Sequence, residues 1–310
     1  DLKKVLEYFP HITEDVLQDR YRLFGGIPRY VLPSPDDFKS RFSEKALEEA
    51  INDVSLQSIL DSGGNLETLR GQSHKLFHFD VDESSFADTT LRFASKQIRH
   101  RLYVRLIETK IRKFDDFLHD ASTNPSLNVV AGGLFEEFVH SVLTKGGTFE
   151  VRNLSTKEVK KLEIPVLTEI SWEKWSLQGI SPLLYSCVCI LAYSVGLLEE
   201  VGSQDALYVR PSTSNFPALD SLIRLDSQWH GIQCTVSMEH PIKVKPLRKY
   251  VMDSLALTQL PVYFVVPEFL YRNYSKQPLK PKDALPSKYT LDQWVLKIDL
   301  RKHFADIDEE

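Results

Sequence analysis

The stretch Pro261–Pro267, PVYFVVP, is apolar at every position, so neither face of an extended segment there can meet water. It reads as a fully buried strand. A helix reading, LRKYVMDSLALTQ, precedes it, and a further strand, WVLKIDL, follows it before an acidic tail. Upstream, GGLFEEFVHSVLTKGGTFEVRNL reads as helix, glycine turn and strand, LSTKEVKKLEIPVL as a charged hairpin, and DALYVRP as a short strand. Helix, hairpin, then strand–helix–strand is an α/β pattern. A mixed central sheet is expected, with Asp220 and Gln233 on adjacent strands.

The part before this pattern reads differently. The segment 1–120 is mostly helical, with a break at Gly25–Gly26 and a helix after Ser43, which stands as its N-cap ahead of Leu47, Ile51 and Val54. HKLFHFDVD alternates like a strand. LRFASKQIRHRLYVRLIETKIRKFDDFL is expected to be one long helix, with Ile98, Leu102, Leu106 and Ile111 as its buried stripe. From Arg92 to Lys113 it holds eight Arg or Lys and one acid, Glu108, which reads as a solvated basic face. The polar, Pro125-containing stretch after it marks a boundary, giving a helical region at 1–120, an α/β domain at 125–275, and a C-terminal strand with an acidic tail at 276–310.

Composition narrows the function. With 310 residues, 42% hydrophobic and 26% charged, the chain has enough material for a real core. Its net charge of -5 excludes a uniformly basic surface, so any nucleic-acid site must be a local patch. The glycines supply no phosphate-loop motif, and Cys187, Cys189 and Cys234 form neither a disulfide framework nor a zinc spacing. The run Ile180–Leu198 is about long enough to span a bilayer, but Pro182, its polar interruptions and the missing basic flanks favour a buried helix over Leu184–Leu197 and no membrane. The chain begins without Met and reads as a fragment.

The chemistry-bearing segment is FPALDSLIRLDSQWHGIQCTVSMEHPIK, Phe216–Lys243. Asp220 heads one strand, and the hairpin turn brings it toward Gln233 and Thr235 on the next. Glu136 lies at the edge of the apolar face of LFEEFVHSVL. Carboxylates at such a corner suit a divalent ion that activates water against a phosphodiester. An isolated acid at a strand start is also an ordinary turn residue, and Gln and Thr are ordinary strand residues.

YRLFGGIPRYVL, LFEEFVHSVL, LYVRPSTSNFPALDSLI and GIQCTVSMEHPIK together resemble the Crinkler effectors and the related retrotransposon hot spot proteins. The likeness runs over nearly the whole chain. It implies a restriction-endonuclease-like domain of the PD-(D/E)XK type following a P-loop NTPase core that is absent here. It further implies a secreted effector of a host-associated microbe, acting in the host nucleus on DNA, with host nuclear proteins as further partners. Carried over by position, Glu136 matches the acid of the first helix and Asp220 the metal-binding Asp. Gln233 stands where the pattern has Asp or Glu, and Thr235 where it has Lys. Mg²⁺ or Mn²⁺ would be held by Glu136, Asp220 and Gln233. Thr235 would orient a water, and His240, Lys243 or Lys245 would supply the missing positive charge. HPIKVKPLRK is locally basic, so Lys243, Lys245, Arg248 and Lys249 are the candidate DNA contacts, with Arg99 and Arg105 as auxiliaries. The expected function is that of a metal-dependent DNA endonuclease; the alternatives are a degenerate nuclease fold that binds DNA or host proteins without cutting, and a purely protein-directed effector module.

Overall fold

A computed structural model of the chain describes residues 2–38, 43–65, 68–69, 75–81, 89–107, 112–171, 206–211, 216–281 and 285–302. It divides into two compact units, Asp1–Glu137 and Phe138–Glu310. The run Leu184–Leu197, Ile111, Cys187, Cys189 and the acidic tail lie outside the described residues. Among the described residues no helix is long and apolar enough to cross a membrane.

In the first unit a 3₁₀ segment, Leu2–Tyr8, leads to α1 (Glu14–Phe24), whose N-terminus is capped by the Thr13 hydroxyl accepting from Val16 N. It stops at Gly25, where φ is 68° and a Cβ would lie 2.0 Å from the Ala94 carbonyl oxygen. Two single-turn helices follow, α2 (Pro28–Val31) and α3 (Pro35–Phe38). Ser43 caps α4 (Glu44–Asp53) through Ala46 N, and α4 buries Leu47, Ala50 and Ile51 as its spacing requires. A reciprocal Ser55–Ser58 capping box starts α5 (Leu56–Asp61).

β1 (Phe77–Val81) pairs antiparallel with β2 (Thr89–Phe93). The long helix expected from Leu91 is therefore corrected. Leu91–Phe93 belongs to β2, with Phe93 opposite Phe77, and a fresh start follows where Ser95 Oγ accepts from Ile98 N. The helical part comes as α6 (Lys96–Ile107) and α7 (Arg112–Ser122). Ile98, Leu102 and Leu106 are buried, as the stripe predicts. The Pro125 stretch is the turn from α7 into α8 (Asn128–Lys145), and the division between the units falls inside α8.

Among the described residues, the second unit is built on an eight-stranded mixed sheet. Its strands are β3 (Gly147–Asn153), β4 (Val159–Ile164), β5 (Thr168–Ser171), β6 (Ala206–Arg210), β7 (Ser221–Leu225), β8 (Gln228–Cys234), β10 (Gln259–Pro267) and β12 (Thr290–Ile298). β9 (Ile242–Lys243) and β11 (Leu279–Lys280) form a separate parallel pair. Between β9 and β10 the chain makes α9 (Val244–Leu247), which widens into a π-helical turn, Arg248–Met252; α10 (Glu268–Tyr271) follows β10.

The sheet order is β4-β3-β12-β10-β8-β7-β6-β5. β10 is interior, parallel to both β8 and β12, and Leu260–Pro267 is buried throughout. That is why its sequence is apolar on both faces. Val262, Phe264 and Val266 pack with Leu247, Val251 and Met252 of the crossover segment. β12 is paired on both sides, to β10 and to β3, and so completes the interior of the sheet.

Candidate functional site

Asp226 and Ser227 join β7 to β8, both with positive φ (46° and 64°). Such a two-residue turn matches the strands' own twist and fixes the register. Leu225 faces Gln228 and Ser221 faces Ile232, and one step further Asp220 N donates to Ile232 O at 3.0 Å. Asp220 is thereby set against Gln233.

Their contact is direct. Gln233 Nε2 donates to Asp220 Oδ2 at 2.6 Å, and Cys234 N donates to the same oxygen at 2.6 Å. Both side chains are half-buried. Hydrogen bonds to an ionised acceptor are the strong ones, and a half-buried carboxylate requires them. The Gln233 amide here turns its N–H, not its carbonyl oxygen, toward Asp220.

Glu136 is engaged within the first unit. Its two oxygens accept from Arg99 Nη1 at 2.8 Å and Nη2 at 2.9 Å. Arg99 Nε donates to Glu137 at 2.9 Å, and His100 Nδ1 lies 3.1 Å from the other Glu137 oxygen. Burial acts to lower the Arg99 pKa, but Glu136 and Glu137 outweigh it and hold the guanidinium charged more firmly than usual. Arg105 is spent on the backbone oxygens of Asn52 and Val54. Neither arginine is the outward auxiliary that the basic run suggested.

Thr235 is buried. Its N–H donates to Val265 O, and its hydroxyl closes the turn that follows, accepting from Ser237 N at 3.0 Å. His240 donates its N–H to Gln277 Oε1, and its ring meets Phe264 edge-on. Burial first, then the neighbouring Lys243, lowers its pKa. Lys243, Lys245 and Lys249 are exposed. Arg248 is paired with Asp253 at 3.6 Å, and Lys249 lies over the Tyr250 ring at 4.9 Å.

A buried polar cluster on alternate positions of these strands is absent from the sequence reading. Ser221 Oγ donates to Tyr208 OH at 2.9 Å, and His140 Nδ1 contacts the same hydroxyl. Burial, then Cys234, raises the Tyr208 pKa. The signal was the period of two: Ser221 and Cys234 each follow Asp220 and Gln233 by one residue and so take the other face.

A divalent ion would need several oxygen ligands converging. Among the described residues no three His, Cys, Asp or Glu side chains are grouped to hold a metal. The Asp220 corner offers one carboxylate, and an amide that presents its nitrogen. This donor set does not fit Mg²⁺ or Mn²⁺ well.

The architecture defines a mixed α/β protein with a carboxylate–amide pair at the base of a sheet hairpin. Comparison with known proteins places it further. The chain is 25% identical over 282 residues to Crinkler effector protein 16 of Phytophthora infestans, covering 89% of this chain and 41% of that protein. It is 25% identical over 289 residues to Crinkler effector protein 15 of the same organism, again 89% and 41%. The likeness to Crinkler effectors read from the sequence is borne out, and the chain spans about two-fifths of the length of these relatives. A scan of protein-family models finds no match. No solved structure matches the chain.

Proposed function

We propose that this chain is a nuclease-like module of a Crinkler-type effector that binds DNA and does not cut it. The observation that carries the reading is the Asp220–Gln233 contact. Two carboxylates at this corner would repel and call for a cation between them. One carboxylate and one amide N–H satisfy each other without it. The restriction-endonuclease-like assignment is part of the proposal. Its support is the acid at the head of β7, the polar partner on β8, and the crossover segment leading to the parallel strand β10. Secretion belongs to the same proposal and rests on the relatives' designation as effectors; action in the host nucleus is part of the proposal as an implication of the family resemblance.

The DNA contact is assigned to the basic segment after β8, through Lys243, Lys245 and Lys249, with Arg248 shared with Asp253. Binding is expected to be sequence-independent and to weaken steeply with salt as counterions are released. The test pairs two measurements on the 310-residue chain. Fluorescence anisotropy with a duplex should show binding that falls between low and moderate salt. Supercoiled plasmid with Mg²⁺ or Mn²⁺ should stay intact.

A second reading, the metal-dependent endonuclease, is favoured by the adjacency of Asp220 and Gln233, the positions at which the family pattern places its metal ligands. It requires the Gln233 amide to turn its oxygen inward. Metal-dependent nicking that EDTA stops and Asp220→Ala removes would establish it over the binding reading. Absence of duplex binding at low salt would instead favour a module directed at host nuclear proteins.

A further inference from the structure

Two tripeptides of the second unit match in pattern: Pro241-Ile242-Lys243 and Pro278-Leu279-Lys280. They lie side by side as the parallel pair β9–β11, with Ile242 in register with Leu279 and Lys243 with Lys280. Ile242 N donates to Pro278 O at 2.9 Å. Ile242 is buried, and Leu279 packs against the same core, so the alternation of a strand turns both lysines outward. Adjacent strands are about 4.8 Å apart, which puts two ammonium-bearing stems side by side.

Like charges in register are destabilising unless something answers them. Neither Lys243 nor Lys280 has an ion-pair partner among the described residues, and both are exposed. Lys245 is exposed two residues beyond Lys243 and is likewise unpaired. The acid on the crossover segment, Asp253, is paired with Arg248. The platform beneath is fixed. Gln277 accepts from His240 N at 2.6 Å, donates to Met238 O at 3.0 Å, and its own N–H donates to Gln293 Oε1 at 2.8 Å. Both strands are therefore held at their starts by one buried glutamine, and the lysine fork is built before any ligand arrives.

We infer that the Lys243–Lys280 fork, flanked by Lys245, is a phosphate-backbone clamp for nucleic acid. It rests on the DNA-binding reading and adds to it Lys280, from an element far along the chain. A phosphodiester strand offers a row of anions and asks for no apolar core. A protein partner would want an apolar centre, and a membrane would want an apolar face beside the charge. Among the described residues of this unit the exposed large hydrophobics are Val159, Val166 and Met238, and of these only Met238 is on this segment.

The experiment measures the affinity of the chain for two unrelated 20-base-pair duplexes across a salt series, for wild type, Lys280→Gln, and the double variant Lys243→Gln/Lys280→Gln. Each lost phosphate contact should flatten the slope of log affinity against log salt by about 0.9, so by about 1.8 in the double variant, equally for both duplexes. Thermal midpoints should be unchanged or higher, since a repulsion is relieved. If wild type binds and Lys280→Gln keeps its affinity and slope, the clamp is wrong and DNA binding lies elsewhere. If wild type binds neither duplex at low salt, the clamp and the reading beneath it both fall. If the double variant loses binding to phosphatidylserine vesicles but keeps duplex binding, the fork is a lipid site and the nucleic-acid assignment is overturned.

Discussion

Arg99 holds two carboxylates inside the first unit, with its own side chain only 10% exposed and Glu137 3% exposed. Removing one member of a buried ion network leaves charge without an answer, and that costs more than the network contributes. Arg99→Met should destabilise by about 3–5 kcal/mol in urea unfolding. Glu136→Gln, at a more open site, should cost clearly less; equal losses would contradict the assigned burial. His230 tests a different term. Burial first, then Lys160, lowers its pKa to about 4, against an ordinary 6.5, with Asp226 opposing. Between those values the unfolded chain binds more protons than the folded one. Its contribution is therefore whole above pH 6.5, falls as pH drops toward 4, and then levels. His230→Phe should remove a loss on the order of 3 kcal/mol between pH 7 and 4. An identical pH dependence of the thermal midpoint in both proteins would refute it.

At the scale of elements, two glycines separate backbone need from free space. Gly25→Ala meets both a positive φ and the Ala94 carbonyl, and should cost more than about 2 kcal/mol. Gly132, inside α8, would place a Cβ in open space, and Gly132→Ala should gain about 0.5–1 kcal/mol. Thermal melts of the two variants should move in opposite directions. The elements legible in the sequence are those whose signal is local and dense: the Ser43 cap with Leu47 and Ile51, the glycine turn after α8, the all-apolar β10. Leu91–Phe93 was misread because its strand character comes from pairing with Phe77–Phe79, far away in sequence, while the basic residues after it continue a helical spacing. The Asp220–Gln233 adjacency was legible from the hairpin. The way the amide faces was not, since it depends on the Cys234 N–H sharing the same oxygen. Nor was the commitment of Glu136 to Arg99, 37 residues away. The lysine fork was half legible: the two Pro-apolar-Lys tripeptides stand in the sequence, but only the β9–β11 register brings them together.

For the whole molecule, a net charge of -5 and an exposed basic segment pull in opposite directions. The proposed DNA affinity would then come from a local face and fade quickly with salt. The relatives carry more than twice this length. What this chain's own residues decide is how Asp220 is neutralised. Calorimetric titration of Mn²⁺ into wild type, Asp220→Ala and Gln233→Glu measures that directly. The account predicts no saturable uptake by wild type in the low-millimolar range, and a new stoichiometric site in Gln233→Glu, where two carboxylates meet and a cation stabilises them. Stoichiometric Mn²⁺ binding by wild type that Asp220→Ala abolishes would contradict it.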